Sequence, residues 1–216
     1  MRITVFGSHG RTGLLLVQLL LAAGHQVVAT IRNPGHMADL VKLGAETRMV
    51  DLDKSAFEDV VEACKGSDAV IFAAGSAAGE GSALDRKGTL RTVRATEKAG
   101  VRRYISVSSI GASTGMSTRT MDDEMKDYYK QKRAAAKHIA GSTLDWTLIE
   151  PAELTDEPGT GKVTASLVAI KETAIARADV AAVIGAVLTE PKSIGKAIQL
   201  AGGGIAINAA LNKALG

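Results

Sequence analysis

Residues 2–32 read RITVFGSHGRTGLLLVQLLLAAGHQVVATIR, and the fold is decided by this stretch. ITVF is a short apolar strand, glycine punctuation follows, and the run from Thr12 to about Ala23 has helical character. Gly24 suits the left-handed residue that closes a helix, and QVVATI returns as a second buried strand. Strand, tight turn, helix and strand in about 30 residues form a βαβ unit, whose crossover is right-handed.

Outward from this unit the alternation repeats. A short helix is expected near Met37–Leu43, a strand near Thr47–Val50, and a helix over roughly Ser55–Cys64. The strand DAVIFAA follows, then a helix over Leu84–Ala99 and the strand RRYISVS. A helix over Glu124–Ala140 precedes DWTLIE, and a last helix near Asp179–Leu188 precedes KAIQLA. Apolar strands alternating with helices predict an α/β fold, a Rossmann-type doubly wound parallel sheet covered on both faces. With 216 residues and no low-complexity linker, the chain reads as one domain over residues 1–216. The stretch EPAELTDEPGTGKV, with Pro151, Pro158 and Gly161, reads as a loop or hairpin region.

Gly7, Gly10 and Gly13 lie at three-residue spacing between the first strand and the first helix. Spacing alone is weak evidence in a glycine-rich chain, and the placement supplies the strength. A tight turn, a close backbone approach to a diphosphate and an open helix N-terminus are needed together at that point. Ser8, His9, Arg11 and Thr12 complete the expected phosphate loop. At the end of the second strand, where NAD sites carry an Asp or Glu for the ribose 2′-hydroxyl, the sequence is ATIRNP. Arg32 stands where a 2′-phosphate needs a guanidinium, with Arg11 as a second cation, so NADP(H) is the expected cofactor. Asp51 and Leu52 follow the third strand and are placed for the adenine edge, although Asp51 reads equally well as a residue near a helix N-cap. Ala73, Ala74 and Gly75 follow the fourth strand and leave room for the adenosine half.

Composition narrows the function further. The formal charge is +3, and Lys and Arg are spread through the chain; aromatics are 3%, which disfavours single-stranded nucleic-acid binding. The lone Cys64 excludes an intramolecular disulfide, and no Cys/His spacing resembles a metal site. His9 belongs to the phosphate loop, and His25, His36 and His138 read as surface residues. The longest apolar run, LLLVQLLLAA, is too short for a bilayer, and the chain opens directly on a strand. A cytoplasmic monomer or small homo-oligomer acting on a small-molecule substrate is expected, without nucleic acid or membrane as partner.

VFGSHGRTG, IRNP, VDLDK, SVSSIGA, YYKQKRAAAKHI, LDWTLIEPAELTDEPGTGKV and RADVAAVI together cover essentially the whole chain. On these motifs it resembles the atypical short-chain dehydrogenase/reductases, specifically the NAD(P)H-binding group that includes biliverdin reductase B, the flavin reductase. The resemblance implies Pro151 as a cofactor contact. Relatives commonly carry Arg before that proline, whereas this chain has Glu150, a negative charge expected near the substrate side. Short-chain dehydrogenases use Ser, Tyr and Lys, the last two as Y-x-x-x-K. On a helix, residues four apart share a face, so the ammonium can approach the nicotinamide ribose and ease proton release from the phenol. Tyr128 and Lys132 have this spacing, and Ser109 sits where the family places a hydroxyl. Tyr129 with Arg133 is a competing register, and members similar to biliverdin reductase B work without the Tyr/Lys pair.

The expected activity is NADPH-dependent hydride transfer to a small conjugated or carbonyl acceptor such as a flavin, quinone or aldehyde, with residues 113–127 and 152–162 as the substrate side. The alternative is a non-catalytic NADP(H) sensor. A sugar-nucleotide epimerase is disfavoured by length, because such enzymes usually carry a larger C-terminal domain.

Overall fold

The computed structural model describes residues 1–75, 83–171 and 173–216. Strand β1 (Arg2–Phe6), helix α1 (Arg11–Ala22) and strand β2 (Gln26–Ile31) form the first unit, followed by α2 (Met37–Leu43) and β3 (Glu46–Met49). The middle of the chain supplies α3 (Phe57–Cys64), β4 (Ala69–Phe72), α4 (Ala83–Lys98) and β5 (Arg103–Val107). Then come α5 (Asp123–Ala140), β6 (Asp145–Pro151), the short β7 (Leu154–Thr155), β8 (Lys162–Ser166) and β9 (Ile175–Ala176). Helix α6 (Arg177–Val187), β10 (Lys196–Gly202), β11 (Ile205–Ala206) and α7 (Ile207–Leu215) finish the fold.

The described residues form a nine-stranded sheet in the order β11-β8-β10-β6-β5-β4-β1-β2-β3. Its centre is parallel, and the order reverses between β1 and β4, so a crevice opens there at the carboxyl ends of the strands. One strand of the described sheet departs from the all-parallel expectation. β8 pairs antiparallel with both β10 and β11, which run the same way on its two sides and are joined across its end by Gly202–Gly204. The expected loop region after β6 is partly ordered. β7 pairs with β9, and Asp179 of α6 accepts hydrogen bonds from the backbone N–H groups of Thr160 and Gly161.

Period-two alternation divides the core into two layers. Ile3 and Val5 of β1, Ile71 of β4, Ile105 of β5 and Ile149 of β6 face α1 and α6, where Leu16, Leu20, Val180 and Ile184 are buried. Phe6, Val70, Phe72, Tyr104 and Leu148 face α3, α4 and α5. Most side chains of the central strands β1, β2, β4, β5, β6 and β10 are therefore covered, as a doubly wound sheet requires, while β3, β8 and β11 toward the edges carry exposed residues. Among the described residues, no helix is long and apolar enough to cross a membrane.

Half-buried Arg103 ties the far end of the sheet to α6. Its guanidinium donates to the Asp145 carbonyl at 2.8 Å, the Thr147 hydroxyl at 2.8 Å, the Val187 carbonyl at 2.6 Å and the Ser193 hydroxyl at 2.9 Å. Val187 ends α6, so the cation also meets the negative end of that helix. Arg103→Met leaves these acceptors unpaired and is expected to cost about 3 kcal/mol, read as a lowered urea midpoint at unchanged m-value; an unchanged midpoint would show that this network contributes no stability.

Candidate active site

The crevice between β1 and β4 is a cleft of about 490 Å³, within the range of small-molecule sites. Its floor is the glycine loop. Gly7 has φ +86°, and a Cβ there would lie 2.6 Å from the Ala74 nitrogen. A Cβ on Gly13 would lie 2.0 Å from the Gly7 carbonyl oxygen. Gly10 donates its N–H to that same carbonyl at 3.0 Å. Helix α1 has no side-chain cap and no acidic residue in its first turn, so its leading N–H groups suit an anion. This cradle, which any side chain would fill, fits the diphosphate of a dinucleotide.

Gly7, His9, Gly10, Arg11 and Thr12 line the cleft, as do Arg32, Asp51, Leu52, Ala73, Ala74 and Gly75. Ser8, Gly13 and Pro151 do not line it. Ser8 is fully buried and its hydroxyl donates to Val5, which pins the loop to its own strand. Gly13 works through its contact with Gly7, and Pro151 is buried at the end of β6. Asp51 caps a turn, its carboxylate accepting the Asp53 N–H at 2.9 Å, while Ala56 is the N-cap of α3. His36, expected at the surface, lines the cleft and stacks on His9 with ring centroids 3.7 Å apart.

Sheet order puts the end of β5 across β1 and β4 from Arg32, and there the second group of lining residues stands. Tyr128 and Lys132 face the cleft from α5. The competing register is structural, since Tyr129 is buried at 5% exposure and Arg133 donates to the Met116 carbonyl. The Lys132 ammonium lies 5.5 Å from the centre of the Tyr128 ring and 2.8 Å from Asp85 Oδ1. Burial alone pulls the Lys132 ammonium down, but Tyr128 and Asp85 outweigh it and hold it above the usual lysine range. Of the two serines after β5, Ser108 lines the cleft and the expected Ser109 does not. β5 stops at Val107, so Ser108 is the first residue beyond the strand and lines the cleft, whereas Ser109 begins a turn by accepting the Ala112 N–H.

Scanned against protein-family models, the chain matches the NAD(P)H-binding family over residues 7–191. It belongs to that family. A curated relative, the uncharacterized sugar epimerase YhfK of Bacillus subtilis, is 34% identical, covering 99% of this chain and 100% of its own length. A putative NAD-dependent epimerase/dehydratase from Bacillus halodurans superposes with a TM-score of 0.89 at 32% identity, over 99% of both chains. ChuY, an anaerobillin reductase from Escherichia coli O157:H7, gives a TM-score of 0.82 at 25% identity, over 94% of this chain and 97% of its own. The resemblance drawn from the motifs is thereby borne out, with the fold and the NAD(P)H-binding character.

Among the cleft residues of this NAD(P)H-binding chain that carry no sequence expectation are two buried charged ones, Asp85 and Arg177. Asp85 begins a buried stripe on α4 with Thr89, Thr92 and Thr96, a helical period written in polar residues that a search for apolar periodicity passes over. Arg177 pairs with Asp156 at 2.7 Å, and Asp156 also meets Arg11 at 2.8 Å, so one carboxylate joins two guanidinium groups of the cleft wall.

Glu150 is not the substrate-side charge expected at its position. It is fully buried, lines no part of the cleft, and accepts the Ser113 N–H at 2.8 Å and hydroxyl at 2.9 Å. Beside it in register, Gln199 of β10 donates to the Thr114 hydroxyl at 3.0 Å. The two strands thus hold residues 113–114 on the sheet, and among the described residues 113–127 contribute nothing to the cleft lining. Burial pushes the Glu150 carboxyl up, with Ser113 and Gln199 pulling partly back. The folded chain therefore binds this proton more tightly than the unfolded chain, and the contribution falls as pH rises from about 4.5 through the raised value. Glu150→Gln is expected to raise the melting temperature at pH 7 and to change it little at pH 4; an equal shift at both would contradict a buried ionised carboxylate.

Proposed function

We propose that this chain is an NADPH-dependent reductase that passes hydride to a small conjugated or carbonyl acceptor, such as a flavin, quinone or aldehyde. The observation that carries the reading is the meeting of Tyr128, charged Lys132 and the glycine loop in one cleft. Bound reduced nicotinamide supplies the hydride. Backbone N–H groups of the loop and of the first turn of α1 hold the diphosphate, and Arg32 with Arg11 favours the 2′-phosphate over a hydroxyl. Tyr128 donates the proton, Lys132 stabilises the phenolate left behind, and Ser108 orients the acceptor. Val107 and Leu154 give that end apolar walls that suit a flat conjugated molecule. The ChuY reductase, similar along nearly the whole chain, supports the same class. A retained Tyr and Lys in the cleft speaks against a sensor without turnover.

A second reading comes from the two relatives named as epimerases. An epimerase removes and returns the same hydride, so it consumes no net cofactor. NADPH oxidation followed at 340 nm against flavins, quinones and aldehydes separates the two. Net oxidation with at least one acceptor is expected, falling about 100-fold in Tyr128→Phe; tight binding with no net oxidation, alongside interconversion of sugar-nucleotide epimers, would establish the epimerase instead. Arg32→Ala is expected to weaken NADPH about tenfold and to leave NADH unchanged in a fluorescence titration. Equal affinity of the native chain for both cofactors would remove the NADP preference.

A further inference from the structure

Asp85 stands at the start of α4, with its side chain 1% exposed, and its only opposite charge within reach among the described residues is Lys132 of α5, itself 9% exposed. The two close to 2.8 Å as an ion pair through Oδ1, and among the described residues neither buried carboxylate oxygen has a partner in hydrogen-bond geometry. Both residues line the cleft, and behind them lies an inner cavity of about 10 Å³ bordered by Thr89, Ser106 and Ser108. That space suits roughly one water molecule, with hydroxyl partners around it. Phe72, Ala135, Ala136 and Leu148 make up much of the remaining wall. In such surroundings an apolar pair packs as well as an ion pair, because desolvation cancels most of the attraction between the charges. Stability alone therefore does not account for Asp85.

We propose that Asp85 is a positioning residue of the proton-transfer site: its carboxylate keeps Lys132 an ammonium and fixes it against Tyr128. This rests on the reductase reading. In each turnover the acceptor gains a hydride and a proton, and the reduced dinucleotide is oxidised. The proton leaves Tyr128 Oη, the O–H electron pair stays on that oxygen, and the phenolate later takes a proton from water. A buried amine without a counter-charge sheds its proton and has nothing to offer the phenolate. With Asp85 ionised, the Asp85–Lys132 pair is neutral throughout, and the ammonium persists. Of the cleft's other cations, Arg177 of α6 and Arg11 of α1 share Asp156.

The test is a pH titration by NMR of the chain labelled with ¹³C at lysine Cε, with the Lys132 signal assigned by its loss in Lys132→Met. The signal is expected to stay that of an ammonium to pH 10 in the native chain and to titrate at least one pH unit lower in Asp85→Asn. With NADPH and menadione, Asp85→Asn is expected to lose tenfold or more in kcat, with KM for NADPH within threefold, and Asp85→Glu to recover most of the rate. An unchanged Lys132 titration in Asp85→Asn, or a lowered one with native kcat, overturns the proposal. Should Asp85→Asn not fold, Asp85→Glu carries the test, since its charge must leave the titration native, and a lowered value overturns the role. Absence of turnover in the native chain would defeat the reductase reading separately, and the titration would still decide whether Asp85 holds the charge on Lys132.

Discussion

The contact between Gly7 and Gly13 is the constraint on which the rest of the cleft depends. With only 2.0 Å between the Gly7 oxygen and a Cβ placed on Gly13, no side chain fits at position 13 without moving the backbone. That closeness seats α1 directly on the end of β1, and the first-turn N–H groups come to face the crevice where strand order reverses. Gly7 itself fits against Ala74 only because it lacks a side chain, which brings the small residues after β4 up to the loop. The fit of Gly7 thus joins two strand ends and one helix start into a single floor.

Charge is then divided along the cleft by topology. Arg32, His9 and His36 line the cleft on the β2 side, and the buried Asp85–Lys132 pair lies beyond β5. Between them the Arg11–Asp156–Arg177 bridge joins the phosphate loop to the segment after β7. On the proposed reading, a dinucleotide across the switch point would span this whole row, with recognition at one end and chemistry at the other.

Much of the fold was legible because the strands are short apolar runs between helices with strong periodicity. QVVATI and the helix over Met37–Leu43 have the bounds read from the residues, and the other major elements differ at their ends by a few residues. What escaped was non-local. The reversed β8 depends on pairing with β10 and β11, which come later in the chain, and α7 is a short helix whose buried face is little more than Ala210 and Leu211. Within the site, loop glycines and the Tyr128–Lys132 spacing carry local signatures. Asp85 does not, because its partner is 47 positions away and only the packing of α4 on α5 brings them together. Ser108 and Ser109 differ by one residue, and the end of β5 at Val107 decides between them. Glu150 illustrates the opposite error, a charge read as functional that the sheet buries as a clip for Ser113.

The fold alone does not separate reductase from epimerase, because both use the same cofactor floor and the same Tyr–Lys face. The orientation of the bound dinucleotide is the central claim that both require. A crystal structure of the complex with NADP⁺ measures it directly. The 2′-phosphate is expected on the Arg32 guanidinium and the nicotinamide ring beside Tyr128 and Lys132, with the diphosphate on the N–H groups after Gly10. A dinucleotide lying in the reverse direction, or seated away from the Gly7–Gly13 contact, would contradict it.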